Sequence, residues 1–187
     1  MIIIRYKHGT KSYEIVRKLL GYIHKDKGSH LVILDLTFGV GRFYRLSRQM
    51  IKKIIAVDIT KHNWEVEPTT FFLMDCRVFT TKVIEGEIRL EDDIDVIVVD
   101  PPWSHEKRGV TPKETGISKQ PYHVKGVDTI ALIQAALQLH KALRKPLLYR
   151  YKQPLICNHR VLVIAETKII RNKGYNYYGI CLPFQDS

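Results

Sequence analysis

The chain lacks the long apolar segments that membrane proteins and secreted precursors need. No run of residues approaches the ~18 consecutive apolar residues that a membrane-spanning helix requires. The start, Met1-Ile2-Ile3-Ile4-Arg5, is apolar over too short a distance for a signal peptide. These two absences favour a cytoplasmic protein without membrane contact.

Cysteine is scarce, and its spacing excludes the usual frameworks. The three cysteines, Cys76, Cys157 and Cys181, are odd in number, far apart and without a CxxC pair. This pattern argues against disulfides and against a zinc site, so no metal is expected. Each cysteine is predicted to be a small buried residue and not a nucleophile.

Linkers, internal repeats and low-complexity tracts are also missing. The 187 residues are 45% hydrophobic and 26% charged, which is enough apolar material for a real core. The composition therefore predicts one compact domain over residues 1–187.

Positive charge is in excess. The formal net charge is +11, and the sequence pI is near 9.6. Such an excess favours polyanionic partners, nucleic acid first, although a solvated basic surface is the alternative. A cluster near the C-terminus, Tyr175, Tyr177 and Tyr178 beside Lys173, is either a nucleic-acid platform or half-buried core.

Short β-branched runs that end in an acid dominate the first hundred residues. Such runs are typical of strands buried on both faces, and their alternation with helical or loop segments predicts a parallel sheet. The four strands are predicted at Leu31–Leu36, Ile54–Asp58, Phe71–Asp75 and Ile94–Val99. A fifth follows at Leu147–Tyr151, and a terminal antiparallel hairpin is predicted from 161–170 and 175–182 around Asn172 and Gly174. The fold class is therefore α/β and Rossmann-like.

Helices are predicted where apolar residues recur at helical spacing. The first lies within Lys7–Lys27, with Thr10 or Ser12 as N-cap and Gly28 as the stop. Others are expected at about 42–50 and at 128–143. The connector Lys152–Arg160 is too short for a full helix.

The glycine turn after the first of these strands is the first functional signal. Thr37-Phe38-Gly39-Val40-Gly41 follows Asp35, and a strand, a glycine turn and a helix start form a cradle for an anion or nucleotide. Asp35 can orient the turn or bond a cationic group. Tyr44 stands where a dinucleotide motif has its third glycine, so an NAD-linked oxidoreductase is the weaker interpretation. A plain packing turn is the other alternative.

Two further acids fit a nucleotide site. Asp58 comes 23 residues after Asp35 at the end of the next strand, where nucleotide-binding α/β domains place a carboxylate against ribose hydroxyls. Asp75 either bonds an adenine amino group or caps the helix that follows it.

Asp100-Pro101-Pro102-Trp103 is the most specific stretch. Proline cannot donate to a strand ladder, so the strand stops at Asp100 and delivers a carboxylate and an aromatic ring to the carboxyl edge of the sheet. An ordinary strand-ending turn is the alternative. The loop over 104–126 follows, and it is a candidate substrate lid because of its length and its cations, Lys107, Arg108, Lys119 and Lys125. His105 and His123 are weaker candidates there.

Taken together, LDLTFGVG, AVDIT, FLMDC and DVIVVDPPW resemble class I S-adenosylmethionine-dependent methyltransferases over roughly residues 8–103. Asp100-Pro101-Pro102-Trp103 resembles the motif of amino-methyltransferases, and Asp in its first position resembles the N6-adenine group. His8-Gly9-Thr10-Lys11 resembles their segment for the cofactor carboxylate, so Thr10 and Lys11 join the candidate cofactor residues. The resemblance implies a cofactor-binding part over 8–100 and no separate target-recognition domain.

The implied chemistry is transfer of a methyl group from S-adenosylmethionine to the exocyclic amino group of adenine. Asp100 and Pro101 would accept hydrogen bonds from that group, and Trp103 would stack on the base. RNA is slightly favoured over DNA because no recognition region is apparent, although a partner subunit could supply one. The alternatives are a non-catalytic nucleic-acid-binding module, an N4-cytosine enzyme and a protein amide methyltransferase.

Overall fold

The computed structural model describes residues 1–101, 128–169 and 172–183. In this part of the chain, eight strands form one sheet in the order β1-β7-β8-β6-β5-β2-β3-β4. The strands are β1 (Ile2–Tyr6), β2 (Leu31–Asp35), β3 (Ile51–Asp58), β4 (Thr70–Leu73), β5 (Val96–Val99), β6 (Leu147–Tyr151), β7 (Asn158–Ile169) and β8 (Asn172–Leu182). The helices are α1 (Ser12–Lys27), α2 (Cys76–Ile84) and α3 (Thr129–Leu143).

The sheet is parallel except at β8. That strand lies antiparallel between β6 and β7, and it closes the predicted hairpin with β7. All other neighbouring strands run parallel, so their carboxyl ends meet at one edge. The predicted fold class, a mostly parallel sheet with an antiparallel C-terminal hairpin, is confirmed.

The two faces of the sheet carry separate cores because side chains alternate along each strand. Leu31 and Ile33 of β2 pack with α1 on one face, and Val32 and Leu34 pack with α2 and α3 on the other. Every residue of β2 and β5 is buried. This two-sided burial explains why their sequences are continuous apolar runs.

The N-cap of helix α1 lies one residue away from both predicted positions, Thr10 and Ser12. Its N-cap is Lys11, whose backbone N–H donates to Glu14 Oε2 at 2.9 Å. Thr10 Oγ1 instead donates to the Lys7 carbonyl, and the Ser12 hydroxyl bonds Tyr178. Gly28 ends the helix at φ 70° and donates to the His24 carbonyl, as predicted.

The helix predicted at about 42–50 is wrong. Two short 3-10 turns stand there, Arg42–Tyr44 and Arg48–Met50. The physical reason is that the side chain of Tyr44 is drawn into the core, where its hydroxyl bonds Asp35. Strand β1, which the sequence analysis did not predict, adds the edge of the sheet beside β7. The connector before β7 contains no helix, as expected.

The prediction that the cysteines form no disulfide is wrong, although Cys181 is buried as expected. Cys157 and Cys181 form a disulfide, with Cα atoms 5.7 Å apart. Pairing of β7 with β8 places the start of one strand beside the end of the other, so residues 24 apart in sequence become neighbours. Cys76 is free and buried, and burial raises the pKa of its thiol to about 12, as suits a packing residue. Among the described residues, no helix is both long and apolar enough to span a membrane.

Candidate active site

The carboxyl ends of β2, β3, β5 and β6 bring four charged side chains to one edge of the sheet. They are Asp35, Asp58, Asp100 and Arg150. Because these strands pair in parallel, the residues at their carboxyl ends lie at the same edge of the sheet. Open α/β sheets bind their ligands at this edge.

The glycine turn combines a left-handed backbone with close packing at Gly41. Its φ is +74°, and a Cβ there would lie 2.5 Å from the carbonyl oxygen of Val66 and 2.7 Å from the ring of Phe38. Gly39 also has a positive φ, 57°. Gly41 therefore lies tightly against Phe38 and Val66.

Asp35 acts on the turn and does not face solvent. It is 2% exposed, Oδ1 accepts the backbone N–H of Thr37 at 2.9 Å, and Oδ2 accepts the hydroxyl of Tyr44 at 2.5 Å. Burial raises the pKa of Asp35 to about 7, against the lowering effect of these two donors. The negative charges of Asp100 and Asp58 raise this pKa further. Of the two roles that the sequence left open for Asp35, the structure has the first, orienting the turn.

Asp58 ties the turn to β3. Its Oδ2 accepts the N–H of Gly39 at 2.8 Å, and its Oδ1 accepts the N–H of Thr60 at 3.0 Å. His62 Nε2 lies 4.0 Å from Oδ1. A carboxylate offers about four acceptor positions, so these bonds leave room for two hydroxyl donors. The arrangement fits the predicted contact with a ribose.

Asp75 caps α2, which is one of the two roles that the sequence allowed. Oδ1 accepts the backbone N–H of Arg77 at 2.8 Å, and Oδ2 accepts Arg77 Nη2 at 2.5 Å. The hydrogen bond from the Arg77 side chain is the main reason that the pKa of Asp75 is lowered. Asp75 thus lies just after β4, at the same edge of the sheet as the acids that end β2 and β3.

Asp100 is fixed through its backbone and its side chain. Its N–H donates to Thr37 Oγ1 at 2.7 Å, which joins the end of β5 to the glycine turn. Its Oδ2 accepts Arg150 Nη1 from β6 at 3.2 Å. Burial raises the pKa of Asp100, and the charge of Arg150 and this hydrogen bond work in the opposite direction.

Arg150 belongs to a chain of contacts that reaches α1. Its guanidinium lies over the ring of Tyr178, 5.7 Å from the centroid, and the Tyr178 hydroxyl lies 2.9 Å from Ser12 Oγ. The start of α1, which carries the candidates Thr10 and Lys11, is thereby joined to the edge that holds Asp100.

Arg150 was not predicted as a site residue from the sequence, and Tyr44 stood out only because it replaces the third glycine of a dinucleotide motif. A signal existed for Arg150, because it is the one charged residue in the otherwise apolar or aromatic strand LLYRY. A charge at that position needs a partner of opposite sign. For Tyr44 no local signal existed, since its partner lies in β2.

Several candidates lie outside the described residues. They are Pro102 and Trp103 of the motif, the loop 104–126 with Lys107, Arg108, Lys119 and Lys125, and the two loop histidines, His105 and His123. Their roles stay predictions. In the tyrosine cluster, Tyr178 is 2% exposed and belongs to the core, whereas Tyr175 is 43% exposed.

A second group of chemically active side chains lies away from this edge. The sulfurs of Cys157 and Cys181 and a ring nitrogen of His159 lie within 4.8 Å of one another. The two sulfurs are bonded together, so neither is a thiolate that could bind a metal ion. His159 Nε2 is also 2.7 Å from the Tyr149 hydroxyl, which accepts the N–H of Leu155. In this state the group fastens the connector before β7 to the sheet.

Comparison with known proteins identifies the fold. No protein-family model matches the sequence, and no curated protein matches it. A SAM-dependent methyltransferase from Agrobacterium tumefaciens is similar at a TM-score of 0.52 and 12% identity, over 94% of this chain and 64% of that one. A SAM-dependent methyltransferase from Neisseria gonorrhoeae is similar at a TM-score of 0.50 and 12% identity, over 96% of this chain and 75% of that one. This chain thus spans less than two thirds of the length of the Agrobacterium protein, and what it has in common with both is the α/β fold.

Proposed function

We propose that this protein transfers a methyl group from S-adenosylmethionine to the exocyclic amino group of adenine in nucleic acid, with RNA ahead of DNA. One observation carries the proposal. Asp100 stands at the carboxyl edge, and its backbone N–H donates to Thr37 Oγ1 in the turn that is expected to hold the cofactor. This arrangement would put the cofactor and the substrate side by side, on a fold similar to that of two SAM-dependent methyltransferases.

The cofactor half of the site is assigned to the ends of β2, β3 and β4. Asp58 would accept ribose hydroxyls, since its oxygens retain free acceptor positions beside the N–H groups of Gly39 and Thr60. The backbone of Thr37–Gly41 would lie against the nucleoside, and Asp35 would keep that backbone in place. Asp75 would stand near the adenine, and Thr10 with Lys11 would meet the cofactor carboxylate.

The reaction needs an acceptor for the amino group, because the lone pair of an aromatic amine is delocalised into the ring. Bonds from the amine to Asp100 and to the Pro101 carbonyl would draw the nitrogen toward tetrahedral geometry and aim it at the methyl group. S-adenosylmethionine supplies that methyl on a positively charged sulfur. The proton that the nitrogen loses can pass to the carboxylate it already bonds. Positioning and electrostatics thus provide the rate gain.

Nucleic acid is the substrate class that the charge favours. Exposed cations lie on α1 and at its N-cap, among them Lys11, Arg17 and Lys18, and the net charge is +11. Stacking of the base on Trp103 would add ~1–3 kcal/mol. An adenine in a duplex must first be flipped out, at a cost of a few kcal/mol, and an unpaired adenine in RNA avoids most of that cost.

Methyl-label transfer tests the proposal directly. The protein is incubated with labelled S-adenosylmethionine and either total RNA or genomic DNA, and the products are digested to nucleosides. We expect label in N6-methyladenosine, no label with Asp100→Ala, and full activity with Asp93→Ala, an exposed residue outside the proposed site. Label in cytosine or in protein would favour the other amino-methyltransferase classes. Salt-sensitive binding without any transfer would favour the non-catalytic module.

Cofactor binding is measured separately by calorimetry. We expect S-adenosylmethionine to bind the wild type and the Asp100→Ala variant about equally, and the Asp58→Ala variant at least ~10-fold more weakly, because two charge-assisted hydrogen bonds are lost. Competition by NAD in a thermal-shift assay would instead support the oxidoreductase.

A further inference from the structure

We infer that Arg150 is a positioning residue that keeps the Asp100 carboxylate ionised and holds one of its oxygens, so that the other is presented to the substrate amino group. The inference rests on the proposed function, since it assigns a role within the same reaction. Nothing in the sequence motif specifies such a partner, because Arg150 lies 50 residues away from Asp100 on another strand.

The geometry divides the two oxygens of Asp100. Arg150 Nη1 contacts Oδ2, and Oδ1 has no hydrogen-bond partner among the residues that the structure describes. The Asp100 backbone cannot swing, because its N–H is bonded to Thr37 Oγ1. With Oδ2 and the backbone both held, rotation of the carboxylate is restricted and Oδ1 has a fixed direction.

The surroundings of Asp100 favour its protonated form, and the guanidinium of Arg150 opposes this. The side chain is only 23% exposed, and burial favours the protonated acid. Among the residues that the structure describes, the titratable groups near it are Arg150 from β6, Asp35 from β2, Tyr44 from the turn and Tyr178 from β8. Arg150 is the one cation among them. A protonated Asp100 would donate through one oxygen and lose acceptor capacity, so Arg150 preserves the form that can receive an amino N–H.

Arg150 is itself held in place. The Tyr178 ring lies against its guanidinium, and the Tyr178 hydroxyl bonds Ser12 at the start of α1. The Arg150 side chain is 20% exposed, so the pair is shielded from screening by salt. This packing suits arginine and not lysine, because a planar guanidinium can stack on a ring and donate to a carboxylate at once.

The test combines carboxyl NMR with kinetics on the full chain. The carboxyl carbon of Asp100 is assigned from its loss in Asp100→Asn and titrated in wild type, Arg150→Gln, Arg150→Lys and Arg160→Gln. Arg160 pairs with Asp26 on the surface and serves as the matched control. We expect the midpoint to rise by about one to two pH units in Arg150→Gln and to stay within about half a unit in the other two. Equal midpoints in wild type and Arg150→Gln overturn the inference.

Kinetics then separate this inference from the proposed function. We expect kcat at pH 7 to fall at least ~10-fold in Arg150→Gln, with the acid limb of its pH profile moved upward and the dissociation constant for S-adenosylmethionine within about twofold of wild type. Arg150→Lys should lower kcat while keeping the acid limb, which also provides the test if the glutamine variant fails to fold. Wild-type kcat in both variants overturns the positioning role and leaves the proposed function intact. If the Asp100 midpoint is higher in Arg150→Gln but the wild type transfers no methyl group, the pairing of Arg150 with Asp100 stands and the proposed function is overturned.

Discussion

The hydroxyl of Thr37 accepts the backbone N–H of Asp100 at 2.7 Å, across two neighbouring strands. Strand β5 ends at Val99, and this side chain satisfies the N–H that comes next along the chain. This hydrogen bond joins the turn that is proposed to hold the cofactor to the acid that is proposed to hold the substrate. A substitution at Thr37 should therefore change the position of Asp100.

Replacement of Thr37 by valine tests this link. Valine has nearly the same shape but no acceptor, so a poorly solvated N–H is left without a partner. We expect the free energy of unfolding in urea to fall by about 1–2 kcal/mol. Thr37→Ser keeps the hydroxyl and should lose less than half as much. Equal losses in the two variants would mean that packing of the methyl group, and not the hydrogen bond, holds the strands together.

Asp35 makes a prediction about pH. Its pKa is about 7 in the folded protein against an ordinary value of 3.8, because of burial. Between those pH values the folded state binds more protons at this site than the unfolded state. The stabilising contribution is therefore present below pH 4 and is lost as pH rises to about 7, with a total of up to about 4 kcal/mol.

The measurement compares wild type with Asp35→Asn in urea at pH 4.5, 5.5, 6.5 and 7.5, since asparagine stays neutral throughout. We expect the free energy of unfolding of wild type, relative to the variant, to decrease steadily over this range. Asp93→Asn should leave that decrease in place, because Lys145 lowers the pKa of Asp93 and this carboxyl is ionised throughout the measured pH range. A constant difference between wild type and Asp35→Asn would contradict the raised pKa.

The parts of the fold that local composition controls were predictable. Strands β2 and β5 are buried on both faces, and their continuous apolar runs predict this burial. Strand β6 was predicted with its observed bounds, Leu147–Tyr151. The acids at strand ends were correctly placed at one edge, because parallel pairing allows no other arrangement.

The contacts that complete the candidate site were not predictable, because each joins residues far apart in sequence. The bond between Tyr44 and Asp35 replaced a predicted helix with a 3-10 turn. Arg150 reached Asp100 only through the pairing of β5 with β6. The disulfide was not predicted for the same reason, because the register of β7 against β8 decides which cysteines are close enough to bond.

Gly41 is expected to tolerate no side chain. In Gly41→Ala the new Cβ would meet the Val66 carbonyl at 2.5 Å in a backbone with φ +74°. Strain and overlap together should lower the free energy of unfolding by more than ~2 kcal/mol. Gly86→Ala is the matched control, because Gly86 has φ +78° and nothing within 4 Å of a Cβ. It should lose only ~1 kcal/mol, so similar urea midpoints for the two variants would show that the turn can yield.

The disulfide between Cys157 and Cys181 makes the last prediction. It closes a loop of 24 residues, and loss of such a cross-link frees the unfolded chain by about 3 kcal/mol. We expect reductant to lower the thermal midpoint of the wild type and to leave a Cys157→Ser, Cys181→Ser double variant unchanged. Thiol titration in denaturant should find one reactive group, Cys76, before reduction and three afterwards. Three reactive thiols before reduction would mean that the cross-link is not formed.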